Sequence, residues 1–387
     1  MLPSGLRGMR RAKGRGAEVK TVWILGAGFS RSLGGPLLGD LLSPSGQAGV
    51  ESFYGDNGLL TSEAVTLVRN IVEHHEIDRK ERGRTPFWND AEDFLDQLDA
   101  AAARPGASKR FRVLLARGAL GHELERADMT ALRGAARRLI AAECCSFLEE
   151  ANLDEERWLP YRTWARALSN SDAIVTFNYD RVLELLAGRH PSKFDVVDPA
   201  DPENEDPGSQ VFKLHGSVDW KRVADESVHY ELTRDANYAL TCTNAEEIGI
   251  ATPGPSKQIA KWALKPLWDA ALARLRSADA IVFVGYRFPP TDAEARHELL
   301  TAIETNNAKP EVPQHHLKIH IVLGPKLSDD VERLHRLVES VLLRAGRTQG
   351  RPVSGRRTFQ IHAHRMYAED FFTVWSPALL HGVGIQA

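Results

Sequence analysis

The chain has 387 residues, 43% hydrophobic and 26% charged, with 49 basic against 52 acidic side chains and a formal net charge of -3. That composition fits a globular protein large enough for two core-bearing modules, and it excludes collagen-like, fibrous and wholly disordered chains. The near-neutral field argues against wholesale electrostatic capture of nucleic acid. The longest apolar runs, such as Ala280 to Gly285, are strand-sized, far short of the roughly 20 residues of a membrane span.

Residues 1–19 hold Arg7, Arg10, Arg11, Lys13 and Arg15 among glycines and lack the apolar stretch of an export signal, so they read as a disordered basic tail. Thr21 to Leu25 (TVWIL) is a β-branched and apolar run that stops at Gly26-Ala27-Gly28, and the residues beyond it have helical spacing. The expectation is strand, glycine turn, helix. Between about residues 60 and 170 the pattern turns helical; Leu132, Leu139, Ile140, Phe147 and Leu148 form one apolar stripe. Strand-like runs return at Ala173 to Phe177, Val211 to Leu214, Ala280 to Gly285, His316 to Leu323 and Thr358 to Ile361, with helical stretches between most of them.

This alternation predicts an α/β fold: a Rossmann-like, doubly wound and mostly parallel sheet with a large helical insertion after the first strand–helix unit. The expected boundaries are 20–50 and 171–365 for the Rossmann-like domain, 51–170 for the insertion and 366–387 for a C-terminal tail or helix. Asp198 to Gly208, rich in proline and acid, and Arg344 to Arg357, rich in glycine and arginine, read as surface loops. Trp262, Leu264, Trp268, Leu272 and Leu275, spaced around Pro266, read as a core-facing helix. Three cysteines, Cys144, Cys145 and Cys242, without a C-x-x-C spacing, fit a reducing cytoplasm and no zinc site. The adjacent Cys144 and Cys145 read as small core residues. His74 with His75 and His315 with His316 look solvent-facing and receive no metal role.

Four segments carry the chemistry. Gly26-Ala27-Gly28 lets backbone approach a pyrophosphate, with the N-terminus of the following helix offered to its charge. A dehydrogenase fingerprint would need a third glycine where Arg31 stands and an acidic residue about twenty positions on after a second strand, so hydride transfer is disfavoured. Thr176-Phe177-Asn178-Tyr179-Asp180, Leu214-His215-Gly216-Ser217 and Gly285-Tyr286-Arg287-Phe288-Pro289-Pro290-Thr291-Asp292 each follow a strand. In an open α/β sheet those ends share one crevice, which predicts a single composite site.

Together these segments resemble the sirtuin-like, or silent-information-regulator-like, family of NAD-cleaving proteins. GAGFSRSLGGP (Gly26 to Pro36), TFNYD, KLHGS and GYRFPPTD stand in family order over roughly residues 21 to 325. The likeness is to the bacterial antiphage-defence branch more than to the deacetylases. Leu37, Leu38 and Gly39 replace the deacetylases' Asp, Phe and Arg, Phe177 stands where Gln precedes the catalytic Asn, and the cysteines cannot build the paired zinc module.

What the resemblance implies is an NAD hydrolase that releases nicotinamide and ADP-ribose, with NAD as its substrate, no metal, and activation by infection. It also implies a homo-oligomer and a partner protein, such as an ATPase or nuclease encoded nearby, with no direct nucleic-acid binding and no membrane. Asn178 is expected to hold ribose hydroxyls or the attacking water, and His215 to act as base. Gly26, Ala27, Gly28, Phe29, Ser30, Asp180, Gly285 and Tyr286 are the expected cofactor contacts. Asp180 reads equally as a ribose or amide acceptor or as a helix cap, Ser30 as a phosphate ligand or an N-cap, and Tyr286 with Asp292 as adenosine contacts or as a capped turn. Phe29 could simply pack. The rival readings are a non-catalytic sensor of NAD or ADP-ribose, and a zinc-less deacylase or ADP-ribosyltransferase.

Overall fold

The structure is a computed structural model and describes residues 19–54, 58–81, 83, 88–103, 126–190, 193–202, 208–251, 255–289, 292–308, 316–326, 328–345, 347–348, 351–352 and 358–381. The expected basic tail, apart from Val19 and Lys20's neighbourhood, therefore lies outside the described residues, as do His315, Pro290, Thr291, most of the Asp198 to Gly208 loop's acidic half and much of the Arg344 to Arg357 loop.

The chain opens with β1 (Thr21–Leu25), followed by helices α1 (Pro44–Tyr54), α2 (Glu63–Glu81), α3 (Ala91–Ala103), α4 (Arg126–Asn152) and α5 (Leu159–Ala167). It continues through β2 (Ala173–Thr176), α6 (Val182–Arg189), β3 (Phe194–Val196), β4 (Ser209–Lys213), β5 (Gly216–Ala224), β6 (Val228–Leu232), the one-turn α7 (Tyr238–Thr241) and β7 (Ile248–Ile250). Next come α8 (Pro255–Ala263), α9 (Lys265–Ser277), β8 (Ala280–Val284), α10 (Ala293–Asn307), β9 (Leu317–Leu323) and α11 (Ser328–Ala345). The small pair β10 (Arg347–Thr348) and β11 (Arg351–Pro352), then β12 (Phe359–Arg365), α12 (Ala368–Val374) and α13 (Pro377–His381) complete it.

Seven strands form one sheet in the order β12-β9-β8-β1-β2-β4-β3, and every neighbouring pair is parallel. The expected doubly wound sheet is thus present. β1 lies at its centre with all five residues buried, which explains why TVWIL is apolar throughout instead of alternating. The chain leaves β1 toward β2 on one side and later fills β8 on the other (Val22↔Ala173, Val22↔Ile281), so the strand order reverses around β1. One face is covered by α9, α10 and α11, with Trp268, Leu275, Leu299 and Leu334 in a shared core. The other carries α5, α6 and α12: Trp23 meets Trp164 at 5.4 Å and Trp375 at 4.9 Å between ring centroids.

The helices α1 to α4 form the insertion, but not as a free-standing bundle. Their core, built on Val68, Phe94, Leu98, Leu132 and Leu139, also takes in Val218, Leu240, Ile248 and Ile250 from the segment around β5 and β7. α4 joins two cores: Leu132, Leu139 and Ile140 lie in this one, whereas Phe147 and Leu148 pack beneath the main sheet. α5 belongs wholly to the main sheet's layer, so hydrophobic packing divides the chain before residue 170 and not at it.

Three further expectations need correction. The glycine turn leads into two short 3-10 turns, Ala27–Phe29 and Arg31–Leu33, with no α-helix before Pro44. Gly34, at φ 103°, and Gly35, whose Cβ would stand 2.6 Å from that of Ser30, turn the backbone away before a helix can extend. Trp262 is 81% exposed on α8, because the chain breaks at Leu264 ahead of Pro266 and α8 does not share the face that buries Trp268, Leu272 and Leu275. His75 is buried against Trp88, with rings stacked at 3.8 Å, instead of facing solvent.

Candidate active-site crevice

A crevice of about 420 Å3 opens at the C-terminal ends of β1, β2, β4, β8 and β9. Among the expected site residues, Gly26, Ala27, Gly28, Asn178, Asp180, His215, Gly285 and Tyr286 all line it, although they are up to 260 positions apart in the chain. Phe29 and Ser30 do not reach its wall. The Phe29 ring packs edge-on against Tyr161, Trp164 and Phe372 in the core under the sheet. Ser30 is 1% exposed, and its hydroxyl is already engaged.

The floor is a contact between two glycine turns. Gly26 N–H donates to Val284 O and Gly28 N–H to Gly285 O, at 3.0 and 3.3 Å. Gly285 has φ 64°, and a Cβ there would stand 2.4 Å from Gly28 Cα, so only hydrogen fits at this crossing of β1 and β8. With no α-helix after the turn, the expected helix-dipole contribution to pyrophosphate binding is absent. Arg31, which lines the crevice and pairs with Asp40 at 2.7 Å, is the nearby cation instead.

Asn178 follows β2. Its Nδ2 donates to Gly26 O and to Ser30 Oγ, both at 3.1 Å, and Ser30 Oγ in turn donates to Asp180 Oδ2 at 2.6 Å. Ser30 makes no capping bond to its own turn; it holds two expected site residues in one orientation. Asp180 Oδ1 accepts from the N–H of Val182, the first residue of α6, at 3.1 Å, so it satisfies a free donor of that helix from one position ahead of its N-cap, Arg181. Burial raises its carboxyl above the usual range, against the pull of Lys213 and the Ser30 hydroxyl.

Lys213 ties the TFNYD and KLHGS segments together. Its ammonium, 1% exposed, donates at 2.6 Å to Asp180 O, Glu184 Oε1 and Ser217 Oγ. His215 follows at the turn from β4 into β5, where Gly216 has φ 77° and a Cβ would collide with Gly249 O at 1.9 Å. The His215 ring stands edge-on to Phe177 at 4.8 Å, and Phe177 stacks on Tyr286 at 4.4 Å. Burial drives the His215 imidazole down to about 3; Asp292 opposes this and Lys257 reinforces it, so the ring is neutral at physiological pH.

Asp292 precedes α10 but makes no side-chain cap. Of its two expected roles the cap is therefore set aside: its carboxylate faces the crevice, accepting from Tyr286 Oη at 3.1 Å and from Lys257 Nζ, with His215 Nε2 3.9 Å from Oδ1. Lys257 also reaches Glu92 Oε1 at 3.3 Å, and Glu92, on the first turn of α3, lines the crevice. Burial pushes the Glu92 carboxyl up to about 7, with Lys257 opposing. Glu92, Lys257 and the crevice-lining Cys144 escape sequence reading because none belongs to a motif, and Arg31, inside the glycine-turn motif, enters that reading only as a departure from a dehydrogenase fingerprint; burial pushes the Cys144 thiol well above its ordinary range. Among the described residues no three His, Cys, Asp or Glu side chains are grouped to hold a metal, and no helix is long and apolar enough to cross a membrane.

A parallel sheet with its crevice at the strand-order reversal is Rossmann-like, and that reversal is where open α/β sheets bind their ligands. Residues 172–345, somewhat less than half of the chain, match the family model of the SIR2-like domain, and this match supports a likeness to sirtuin-like proteins, which use NAD. The match runs from just before β2 to the end of α11. It takes in Asn178, His215, Gly285, Tyr286 and Asp292 and leaves out the glycine turn and the helical insertion. No curated protein matches the chain.

Proposed function

We propose that the crevice hydrolyses the nicotinamide–ribose bond of NAD, releasing nicotinamide and ADP-ribose. The supporting observation is the convergence of Asn178 and His215 on one crevice whose floor is the Gly26-Ala27-Gly28 and Gly285 crossing. The scissile C–N bond leaves a cationic sugar as neutral nicotinamide departs, so the chain must orient water and take up one proton. Asn178 Nδ2 is committed to Gly26 O and Ser30 Oγ, which leaves Oδ1 to meet a water or ribose hydroxyl. As the water oxygen bonds to the anomeric carbon, its proton passes to the neutral His215 and then to solvent. A weak base suffices against so strong an electrophile.

The motif resemblance supports a role as an infection-triggered antiphage effector working as an oligomer or with a partner protein. The test is chromatography of NAD incubated with the full chain. Wild type should release nicotinamide and ADP-ribose in equal amounts, while Asn178→Ala and His215→Ala should each lower the rate at least about 100-fold. Turnover that survives both substitutions refutes the proposal. The depressed proton affinity of His215 favours a second reading, a nucleotide-binding module without turnover, for which calorimetry would register NAD binding while no product forms.

A further inference from the structure

Asp292 Oδ1 faces two groups at once. Lys257 Nζ is hydrogen-bonded to it, while His215 Nε2 stands 3.9 Å away, beyond hydrogen-bond reach. The other oxygen, Oδ2, is taken by Tyr286 Oη. We propose that Lys257 is a positioning residue for His215: by occupying Asp292 Oδ1 it denies the imidazole an orienting carboxylate, and Glu92 on the helical insertion shares the same ammonium. The proposal rests on the hydrolase reading for its catalytic consequence, though not for the contact itself.

A histidine base gains both orientation and proton affinity when a carboxylate accepts from its other ring nitrogen, and a cation bound to that carboxylate cancels part of the gain. His215 shows the partly cancelled state: burial lowers its proton affinity, Asp292 raises it in part, and Lys257 takes back some of that rise. The charged and titratable groups around this cluster include Asp292 before α10, Arg296 on α10, Lys257 on α8, Asp90 just before α3, Glu92 and Asp96 on α3, Tyr179 after β2, and Tyr286 after β8. The ammonium therefore sits between the insertion and the main sheet. A displacement of α3 that carried Lys257 with Glu92 would hand Oδ1 to the imidazole.

The experiment compares full-length wild type, Lys257→Gln, Lys257→Met and Lys257→Gln/Asp292→Asn. His215 is followed by NMR titration, its signal identified with His215→Gln, alongside the pH profile of NAD cleavage. Glutamine removes the positive charge and ends one atom short of the lysine nitrogen while staying polar, so it releases Asp292 Oδ1 and covers the case in which methionine impairs folding. In wild type His215 should stay neutral to the lowest pH at which the chain remains folded. In Lys257→Gln its titration should rise by at least about one pH unit, a tenfold gain in proton affinity, and the acid limb of the cleavage profile should move with it. Adding Asp292→Asn should cancel both shifts. A purely structural lysine would lower the rate without moving the titration, and that result overturns the proposal, as does a rise that survives Asp292→Asn. Absence of nicotinamide release in every variant would overturn the hydrolase reading separately, because the titration needs no turnover.

Discussion

Lys213→Met tests whether the crevice is held together by buried charge. Lys213 bridges the backbone after β2, the hydroxyl after β4 and Glu184 on α6, at 2.6 Å in each case. Methionine nearly preserves volume, so the loss is electrostatic and not a cavity. Removing one partner of a buried pair costs about 3–5 kcal/mol, because Glu184 is left to ionise without compensation or to take up a proton. Burial already raises the Glu184 carboxyl against the pull of Lys213, so without the lysine it should be protonated near neutrality, which holds the cost toward the lower end. At about 2 °C of Tm per kcal/mol for large domains, calorimetry should show a fall of about 6–8 °C. Adding Glu184→Leu should recover most of it, since a hydrophobic replacement of a whole ion pair is often neutral. A Tm within 1 °C of wild type for Lys213→Met, or no recovery in the double variant, would refute the account.

Gly285→Ala should cost more than the roughly 1–2 kcal/mol of a left-handed non-glycine residue, because its Cβ meets Gly28 backbone at 2.4 Å, and thermal melts with NAD titration should show lower stability and weaker binding together. Gly188→Ala, in α6 with no atom within 4 Å of the added Cβ, should instead stabilise by about 0.5–1 kcal/mol in the same melts. His320, stacked on His362 and His364, is lowered to about 3 by burial and by its two neighbours. A histidine lowered on folding contributes stability that is intact above its unfolded value near 6.5 and is lost as pH falls toward 3, so going from pH 7 to 4.5 should cost about 2.5 kcal/mol. Urea titrations of His320→Leu should show that pH-dependent loss reduced by a similar amount.

How much of this was legible in sequence depends on what local pattern can encode. TVWIL is β1 to the residue, and the runs found as β2, β4, β8 and β9 lie in the main sheet because strands buried on both faces are largely apolar, while the Thr358 to Ile361 run leads into the edge strand β12, where no residue is buried. β3 escapes, since three residues give no period. The β6-β5-β7 sheet escapes because GSVDWKRVA follows a motif that drew attention to chemistry instead of to its alternation. Asn178, Asp180, His215 and Tyr286 were found because each follows a strand, and strand ends of a parallel sheet must meet. Ser30 and Phe29 sit in the same motif yet face inward, which spacing in a glycine turn cannot distinguish. Glu92 and Lys257 depend on tertiary packing alone.

The insertion matters to the crevice because of where it enters the chain. It leaves from the C-terminal end of β1, the central strand, and returns to the opposite edge of the sheet to begin β2, its parallel neighbour, so its first end stands beside the strand-order reversal. Its helices begin at that C-terminal edge, where Glu92 of α3 and Cys144 of α4 line the crevice. They are fixed to it by a shared core, with Phe94 and Leu98 of α3 packed in the same cluster as Ile248 and Ile250 of β7. Ala251, directly after β7, donates its N–H to His215 O at 2.8 Å and accepts from Tyr179 Oη at 2.7 Å. The backbone that fixes His215 is thus continuous with the strand that packs on the insertion. A partner or second copy that pressed on α3 would act on His215 through this packed path and through the Glu92 to Lys257 contact, so changes at the insertion should appear first in the proton affinity of His215.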